Sequence, residues 1–137
     1  MKLLLLIPVI TLVTALSLLL SACTSPLPYT QADLSVEREQ RITDGYVDKE
    51  VSAGVHVIEV RHEDILALTI QKEKTLSNLK SIWQQRAKEL CPKGYQGEPE
   101  VIQPDEARTD EFFCTLNICQ KYLLVSGIAY CKTVYEF

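Results

Sequence analysis

Residues 45–60 read GYVDKEVSAGVHVIEV, and this stretch decides the kind of fold that the chain can form. Its first seven residues alternate roughly between apolar and polar, as in a strand with one buried face. Its last six are rich in β-branched residues, which favour strands. Between them, Ser52, Ala53 and Gly54 are typical of a turn, where glycine adopts positive φ without strain. The stretch therefore predicts a β-hairpin with a three-residue loop.

A helix is predicted downstream of this hairpin, because apolar residues recur there at spacings of three and four. Thr75 is the candidate N-cap. Pro92 and Gly94 are expected to end the helix just after Cys91. Residues 64–74 either extend the helix upstream or form a loop. The apolar stripe of the helix consists of Leu76, Leu79, Ile82, Trp83, Ala87 and Leu90.

Two further strands complete the predicted fold. Residues 95–102 form a weak strand that Pro99 interrupts, and residues 121–132 have the strongest strand pattern in the chain. A polar loop at residues 103–110 lies between them. The order β-β-α-β-β predicts an α+β fold in which one helix packs on a small antiparallel sheet. We expect this domain to span residues 42–137 and to bury one modest core.

The composition excludes several classes of protein. The chain has 137 residues, and a hydrophobic content of 47% excludes a chain that is disordered throughout. It carries 14 Lys and Arg against 18 Asp and Glu, a net charge of −4. Without a basic excess to neutralise phosphates, nucleic acid is not expected as a partner. A single long apolar run excludes a multi-pass membrane protein.

That apolar run lies at the N-terminus and has the features of a secretory signal. Residues 1–23 read MKLLLLIPVITLVTALSLLLSAC, in which one Lys precedes 18 uncharged residues, two small residues and a cysteine. The last four, residues 20–23, resemble the lipobox of bacterial lipoproteins. The resemblance implies cleavage after residue 22 and a covalent lipid on the Cys23 thiol. An uncleaved transmembrane anchor and a plain signal peptide with a chance cysteine are the alternatives.

The resemblance also implies how the mature protein is attached. Residues 1–22 would be the signal peptide, and residues 23–41 the lipidated cysteine and a flexible tether, with a short helix at 34–40 as the competing interpretation. Two or three acyl chains make a durable membrane anchor. Cleavage removes one Lys, so the mature charge is 13 − 18 = −5 and attachment depends on the lipid. Thr24 replaces the aspartate that retains enteric lipoproteins in the inner membrane, which implies the periplasmic face of the outer membrane in a Gram-negative host.

Four cysteines remain, and an even number in an exported domain indicates disulfides. If residues 95–102 pair antiparallel with the last strand, Cys91 lies near Cys131, which leaves Cys114 to pair with Cys119. Four cysteines nevertheless allow three pairings. The gaps between them, 22, 4 and 11 residues, match zinc-ligand spacings poorly, so neither a metal nor another cofactor is expected. A redox role for Cys114 and Cys119 stays open as an alternative.

Other candidate site residues have ordinary structural explanations. His56 and His62 lie near the ends of the second strand, and no catalytic motif accompanies them. Trp83 lies on the apolar stripe and is expected in the core. Three tyrosines near the C-terminus either form an exposed binding face or pack half-buried: Tyr122, Tyr130 and Tyr135.

Several segments are similar to small, uncharacterised bacterial lipoproteins of the cell envelope. These are DGYVDKE at 44–50, GVHV at 54–57, RAKELC at 86–91 and GY at 94–95. The resemblance covers residues 44–95 and implies a lipid-anchored α+β domain. We therefore expect a non-enzymatic binding or assembly module with an envelope protein as partner. The alternative is a thiol-based redox or stress-sensing protein that uses Cys114 and Cys119.

Overall fold

The computed structural model describes residues 27–33, 44–63, 71–114 and 122–134. A short 3₁₀ helix, Pro104–Glu106, precedes the last strand. In chain order, the other elements are β1 (Gly45–Ser52), β2 (Val55–Glu63), α1 (Lys72–Leu90), β3 (Tyr95–Gln96), β4 (Glu100–Ile102) and β5 (Tyr122–Cys131).

The predicted hairpin is formed by β1 and β2, which pair antiparallel with Tyr46 opposite Val60. Its loop is shorter than the predicted three residues, because Ser52 pairs with Val55 and only Ala53 and Gly54 remain in the turn. The register shifts between Glu50 and Ser52, which absorbs the extra residue. Gly54 has a φ of 67°, the left-handed conformation that such tight turns require.

The last strand, β5, lies inside the sheet rather than at its edge. It pairs antiparallel with β2 on one side and with β3 and β4 on the other, giving the order β1-β2-β5-β3 with β4 also on β5. The predicted strand at 95–102 is thus two short strands. Proline lacks the N–H that a continuous ladder needs, and Pro99 lies between them. The α+β fold with a small antiparallel sheet and a packed helix is confirmed.

The helix α1 begins earlier than predicted. Its N-cap is Gln71, and Thr75 lies buried within the helix, where its N–H donates to the Gln71 carbonyl at 2.9 Å. The predicted Thr75 N-cap is therefore wrong, and residues 72–74 extend the helix upstream. The predicted C-terminal end is confirmed, because Cys91 is the C-cap.

Successive side chains of a strand point to opposite sides of the sheet, so each face carries its own set of side chains. Both faces are covered. The helix covers one face, where Gly127 of β5 makes room for Trp83; a Cβ at Gly127 would lie 2.8 Å from the indole ring. Residues 103–114 cover the other face. The core on the helix face comprises Tyr46, Ile58, Val60, Leu79, Ile82, Trp83, Ala87, Cys91, Leu123, Val125, Ala129 and Cys131. The core on the opposite face comprises Ala32, Val47, Phe112, Tyr122 and Leu124.

Residues 27–33 lie against the domain, and we call them the N-terminal strap. The strap differs from the predicted flexible tether: the Tyr46 N–H donates to the Thr30 carbonyl at 3.0 Å, and the Ala32 N–H donates to the Tyr46 carbonyl at 2.9 Å. Tyr29 stacks on Tyr46, with ring centroids 4.8 Å apart. The strap packs here because the helix lies mainly over β2 and β5. The Tyr46 ring on β1 is therefore buried by the strap as well as by the helix. The predicted signal peptide and the rest of the predicted tether lie outside the described residues.

Candidate functional site

A buried disulfide joins the end of the helix to the end of the sheet. Cys91 and Cys131 are bonded, with Cα atoms 5.0 Å apart. The antiparallel pairing of Tyr95 with Cys131 brings the two cysteines together, as the predicted topology required. Their exposed fractions are only 2% and 3%, so the bond is sealed from solvent. This position suits a structural disulfide.

His56 lies beside this disulfide. Its ring nitrogen and the two sulfurs lie within 4.8 Å of one another, a spacing that would suit three metal ligands. A cysteine binds metal as its thiolate, however, and here the two sulfurs are bonded to each other. In this state the cluster offers one good ligand atom, that of His56. It is therefore not a metal centre in the oxidised protein.

The structure describes only one of the other cysteines for which a role is predicted. Cys114 is disulfide-bonded and half-buried, next to the core on the face opposite the helix. Its partner lies outside the described residues, as do Cys119 and the predicted lipidation site Cys23. The pairing of Cys114 with Cys119 therefore stays a prediction.

The second histidine ties the two ends of the hairpin together. His62 Nδ1 lies 2.7 Å from an Asp44 carboxylate oxygen, and the Glu63 N–H donates to the same carboxylate at 2.8 Å. The Arg61 guanidinium lies 3.9 Å from it. Asp44 precedes β1 and the others end β2, so this cluster holds the open end of the hairpin closed.

A small cavity of about 90 Å³ lies between the strap and this cluster. Leu27, Leu79 and Ile82 give it a mainly apolar lining, and His62 contributes to its wall. No serine or cysteine is among the described residues that line it. Thr30 is the one hydroxyl-bearing residue among the described residues of this lining, and its backbone carbonyl accepts a hydrogen bond from the Tyr46 N–H.

The face opposite the helix contains a fully buried carboxylate that sequence reasoning missed. Glu59 accepts hydrogen bonds from the Arg108 N–H at 2.6 Å and the Thr109 N–H at 3.1 Å, and from the Thr109 hydroxyl. The Arg108 side chain donates to Ser126 at 2.9 Å and lies 3.5 Å from Glu100. Glu59 thus fastens the covering loop to the sheet. The only signal in the sequence is a carboxylate in the middle of a β-branched strand.

Arg61 is the second buried charge on this face. Its guanidinium lies 4.4 Å from the centre of the Tyr122 ring and 5.9 Å from that of Phe112. Burial lowers the pKa of Arg61, and the nearby Asp44 carboxylate opposes that shift. The Tyr122 hydroxyl donates to the Phe112 carbonyl at 2.7 Å. These contacts make Arg61 part of the packing of this face.

Charged residues of the helix hold the strap. The Tyr29 hydroxyl donates to Glu89, and Arg86 donates to Glu89 at 3.1 Å and to Asp48 at 2.8 Å. The Arg86 guanidinium also lies 5.0 Å from the centre of the Tyr46 ring. Burial and the bond to Glu89 raise the pKa of Tyr29, while the same hydrogen bond lowers the pKa of Glu89.

Three exposed apolar residues lie near the turn of the hairpin, and we call them the hairpin-end patch. Val51 is 55% exposed, Tyr130 is 38% exposed and Val134 is 53% exposed. Tyr130 is paired with Val55, and Val134 packs against Gly54. The patch is therefore centred on the turn between β1 and β2.

Two of the other aromatic candidates, Trp83 and Tyr122, do not contribute to an exposed surface. Trp83 is fully buried, as predicted, and its indole N–H donates to the Ile58 carbonyl at 3.0 Å. Tyr122 is also buried. Tyr135 lies outside the described residues. Of the predicted tyrosine face, the structure places Tyr130 alone on the surface.

Comparison with known proteins finds no match to this chain among family models, curated proteins or solved structures. Within the described residues, no helix has both the length and the apolar character needed to cross a membrane.

Proposed function

We propose that the protein is a lipid-anchored lipoprotein of the bacterial envelope, and that its domain is a non-enzymatic binding or assembly module. The sequence support is the apolar run that ends at residues 20–23 with LSAC. In a Gram-negative host the lipid on Cys23 holds the domain on the periplasmic face of the outer membrane. The weak similarity of residues 44–95 to small envelope lipoproteins points in the same direction.

The observation that carries the proposal is the disulfide between Cys91 and Cys131. Disulfides form and persist in oxidising compartments such as the periplasm, and they are rare in the cytosol. This bond depends on the end of α1 and on the pairing of β3 with β5, and it does not depend on the N-terminal sequence. Two independent features of the chain therefore favour export.

The hairpin-end patch supports a binding role. Interfaces are enriched in aromatic residues and contain apolar groups that are exposed in the free protein. The polar groups best placed for chemistry are already engaged within the fold. Glu59 holds the covering loop, and the Asp44–His62 pair closes the hairpin. The partner that best fits the patch is another envelope protein.

Intact mass of the membrane-extracted protein tests the anchor. We expect residues 23–137 plus acyl chains, with the four remaining cysteines open to alkylation only after reduction. The matched control is Cys23→Ser, which should retain residues 1–22 and carry no lipid. A wild-type mass equal to the full chain would contradict the proposal and identify an uncleaved anchor.

Site-specific photo-crosslinking in cells tests the partner. A photoreactive residue at Val134 should give a defined adduct with an envelope protein. Val101 is the matched control, because it is also an exposed valine, at 44% against 53% for Val134, and it lies on β4, away from the hairpin turn. An adduct from Val101 but not from Val134 would place the binding surface elsewhere, and no adduct at either position would weaken the binding role.

The alternative is a thiol-redox or stress-sensing role for Cys114 and Cys119. The half-buried position of Cys114 favours it, because Cys114 is more accessible than Cys91 and Cys131, which are 2% and 3% exposed. Redox-active disulfides are accessible and more easily reduced than structural ones. A reduction potential below about −300 mV for both bonds would rule this alternative out.

A further inference from the structure

The length of chain between the predicted lipid and the folded domain is short. Only residues 24–26 separate Cys23 from Leu27, which packs against the core on the helix face. At about 3.6 Å per residue, the Cα atoms of Cys23 and Leu27 are at most about 14 Å apart in any conformation. A free 18-residue tether would have a root-mean-square reach of about 23 Å and a much longer maximum.

The strap is joined to the domain by several kinds of contact, so the domain does not begin at β1. Two backbone hydrogen bonds connect Thr30 and Ala32 to Tyr46. Tyr29 adds its stacked ring and its hydrogen bond to Glu89. The strap also fills a place in both cores, through Leu27 on the helix face and Ala32 on the opposite face. Its release would expose apolar surface and break these bonds together.

We infer that the folded domain lies directly on the lipid surface in a fixed orientation, with the strap side toward the headgroups. The inference rests on the proposed lipidation of Cys23. The partner surface is the headgroup layer of the membrane that holds the protein's own acyl chains. A mature charge of −5 gives no electrostatic attraction to anionic lipids. The short covalent connection to the lipid is therefore what keeps the domain at the surface.

The orientation follows from where the strap meets the sheet. Leu27 and Pro28 lie beside Asp44 and His62, at the open end of the hairpin. The turn of the hairpin is at the other end of β1, whose eight residues span about 26 Å. The hairpin-end patch therefore points away from the membrane, where another envelope protein can reach it.

Energy transfer from tryptophan to the headgroups measures the height of the domain. The full-length lipidated protein is reconstituted into phosphatidylcholine vesicles that contain a small fraction of dansyl-labelled phosphatidylethanolamine. Trp83 is the single tryptophan of the chain, so it is the only donor of its kind. We expect strong transfer in the wild type. Inserting 12 Gly and Ser residues between Ser25 and Pro26 lengthens the three-residue connection to 15 residues, which raises its root-mean-square reach from about 10 Å to about 21 Å and should lower transfer at least twofold.

A second pair of variants measures the orientation. In a Trp83→Phe background, the donor is moved to the strap with Pro28→Trp or to the patch with Val134→Trp, both exposed positions. Transfer from position 28 should exceed transfer from position 134 at least twofold. Melting temperatures of the two variants verify that both remain folded.

The outcomes separate the inference from the proposed function. Equal transfer with and without the insertion, or equal transfer from positions 28 and 134, would overturn the membrane-seated orientation. In that case an intact mass with acyl chains would leave the proposed anchor standing. A mass without lipid, together with failure to float with the vesicles, would overturn the anchor and the inference with it.

Discussion

The two faces of the sheet are closed by different means. On the helix face, a regular helix places Leu79, Ile82 and Trp83 against apolar side chains, and a disulfide closes one end. On the opposite face, the irregular residues 103–114 form the cover, and the charged side chain of Glu59 is fully buried beneath them. The two faces differ because α1 and residues 103–114 satisfy their backbone hydrogen bonds in different ways.

A helix satisfies its own backbone hydrogen bonds, but an irregular segment does not. Residues 108 and 109 bring unpaired N–H groups to a buried surface, where each would cost free energy without an acceptor. Glu59 supplies that acceptor to both of them. A buried carboxylate on one face and a mainly apolar contact with a helix on the other are therefore two solutions to the same requirement.

The largest expected effect comes from opening the disulfide on the helix face. Cys131→Ser releases a loop of 40 residues, which in the chain-entropy model lowers the free energy of unfolding by roughly 3.9 kcal/mol. Domains of this size have a total stability of only about 5–15 kcal/mol, so this loss removes about a quarter to three quarters of it, and we expect a markedly lower melting temperature. Urea unfolding followed by circular dichroism measures this. Cys91→Ser should give the same loss, and an unchanged melting temperature in either variant would refute the prediction.

The next largest effect is expected on the opposite face. Glu59→Gln keeps the shape of the side chain but turns one acceptor into a donor that faces buried N–H or O–H groups, at a cost of about 3 kcal/mol. Glu100→Gln is the matched control, because the Glu100 carboxylate is exposed and its ion pair with Arg108 contributes less than about 1 kcal/mol. Equal losses in the two variants would show that Glu59 does not fasten the loop.

Crowding the apolar contact should cost less. Gly127→Ala places a methyl group 2.6 Å from the Glu98 carbonyl oxygen and 2.8 Å from the Trp83 ring, and we expect a loss of about 2 kcal/mol. Trp83→Phe removes the indole atoms that clash. A double-mutant cycle should therefore show favourable coupling of more than about 0.5 kcal/mol. Additive losses would mean that the clash is with the backbone alone.

Alkaline pH should weaken both faces. Burial raises the pKa of Tyr95, which packs edge-on against Trp83, and of Tyr122 on the opposite face. A raised pKa favours the neutral phenol in the folded state. The resulting stability is complete below the unfolded pKa of about 10 and is lost as pH rises through the folded value. The free energy of unfolding should fall above that pH, and less steeply in Tyr95→Phe; a flat profile in the wild type would contradict this.

The smallest expected effect is at the strap. Tyr29→Phe keeps the stacked ring but removes the hydrogen bond to Glu89, and we expect only a small loss of stability because the pair is exposed. The lowered pKa of Glu89 means that its contribution is present above its unfolded value and lost as pH falls through the folded one. Amide exchange at Tyr46 and Ala32 should report loosening in acid. Tyr29→Ala should loosen the same amides further; identical exchange in the two variants would show that the ring does not hold the strap.

Local patterns in the chain were sufficient to predict much of the fold. The alternation at residues 45–51, the helical spacing from Leu76 to Leu90 and the stop at Pro92 each depend on neighbours in sequence. The nearness of Cys91 to Cys131 followed from one assumed strand pairing, which the structure confirms. The Thr75 cap failed because the helix continues upstream into residues whose pattern is ambiguous.

Short stretches of chain were enough to predict most of the elements, the cysteines available for disulfides and a lipid anchor, because these patterns are local in sequence. The burial of Glu59 and Arg61, and the packing of residues 27–33 against the domain, appear only in the folded structure. The residues next to a glutamate or a tyrosine in the sequence do not show which side chains will bury it. Its surroundings come from residues tens of positions away, such as Thr109 above Glu59 and Glu89 beside Tyr29, and only folding brings them together.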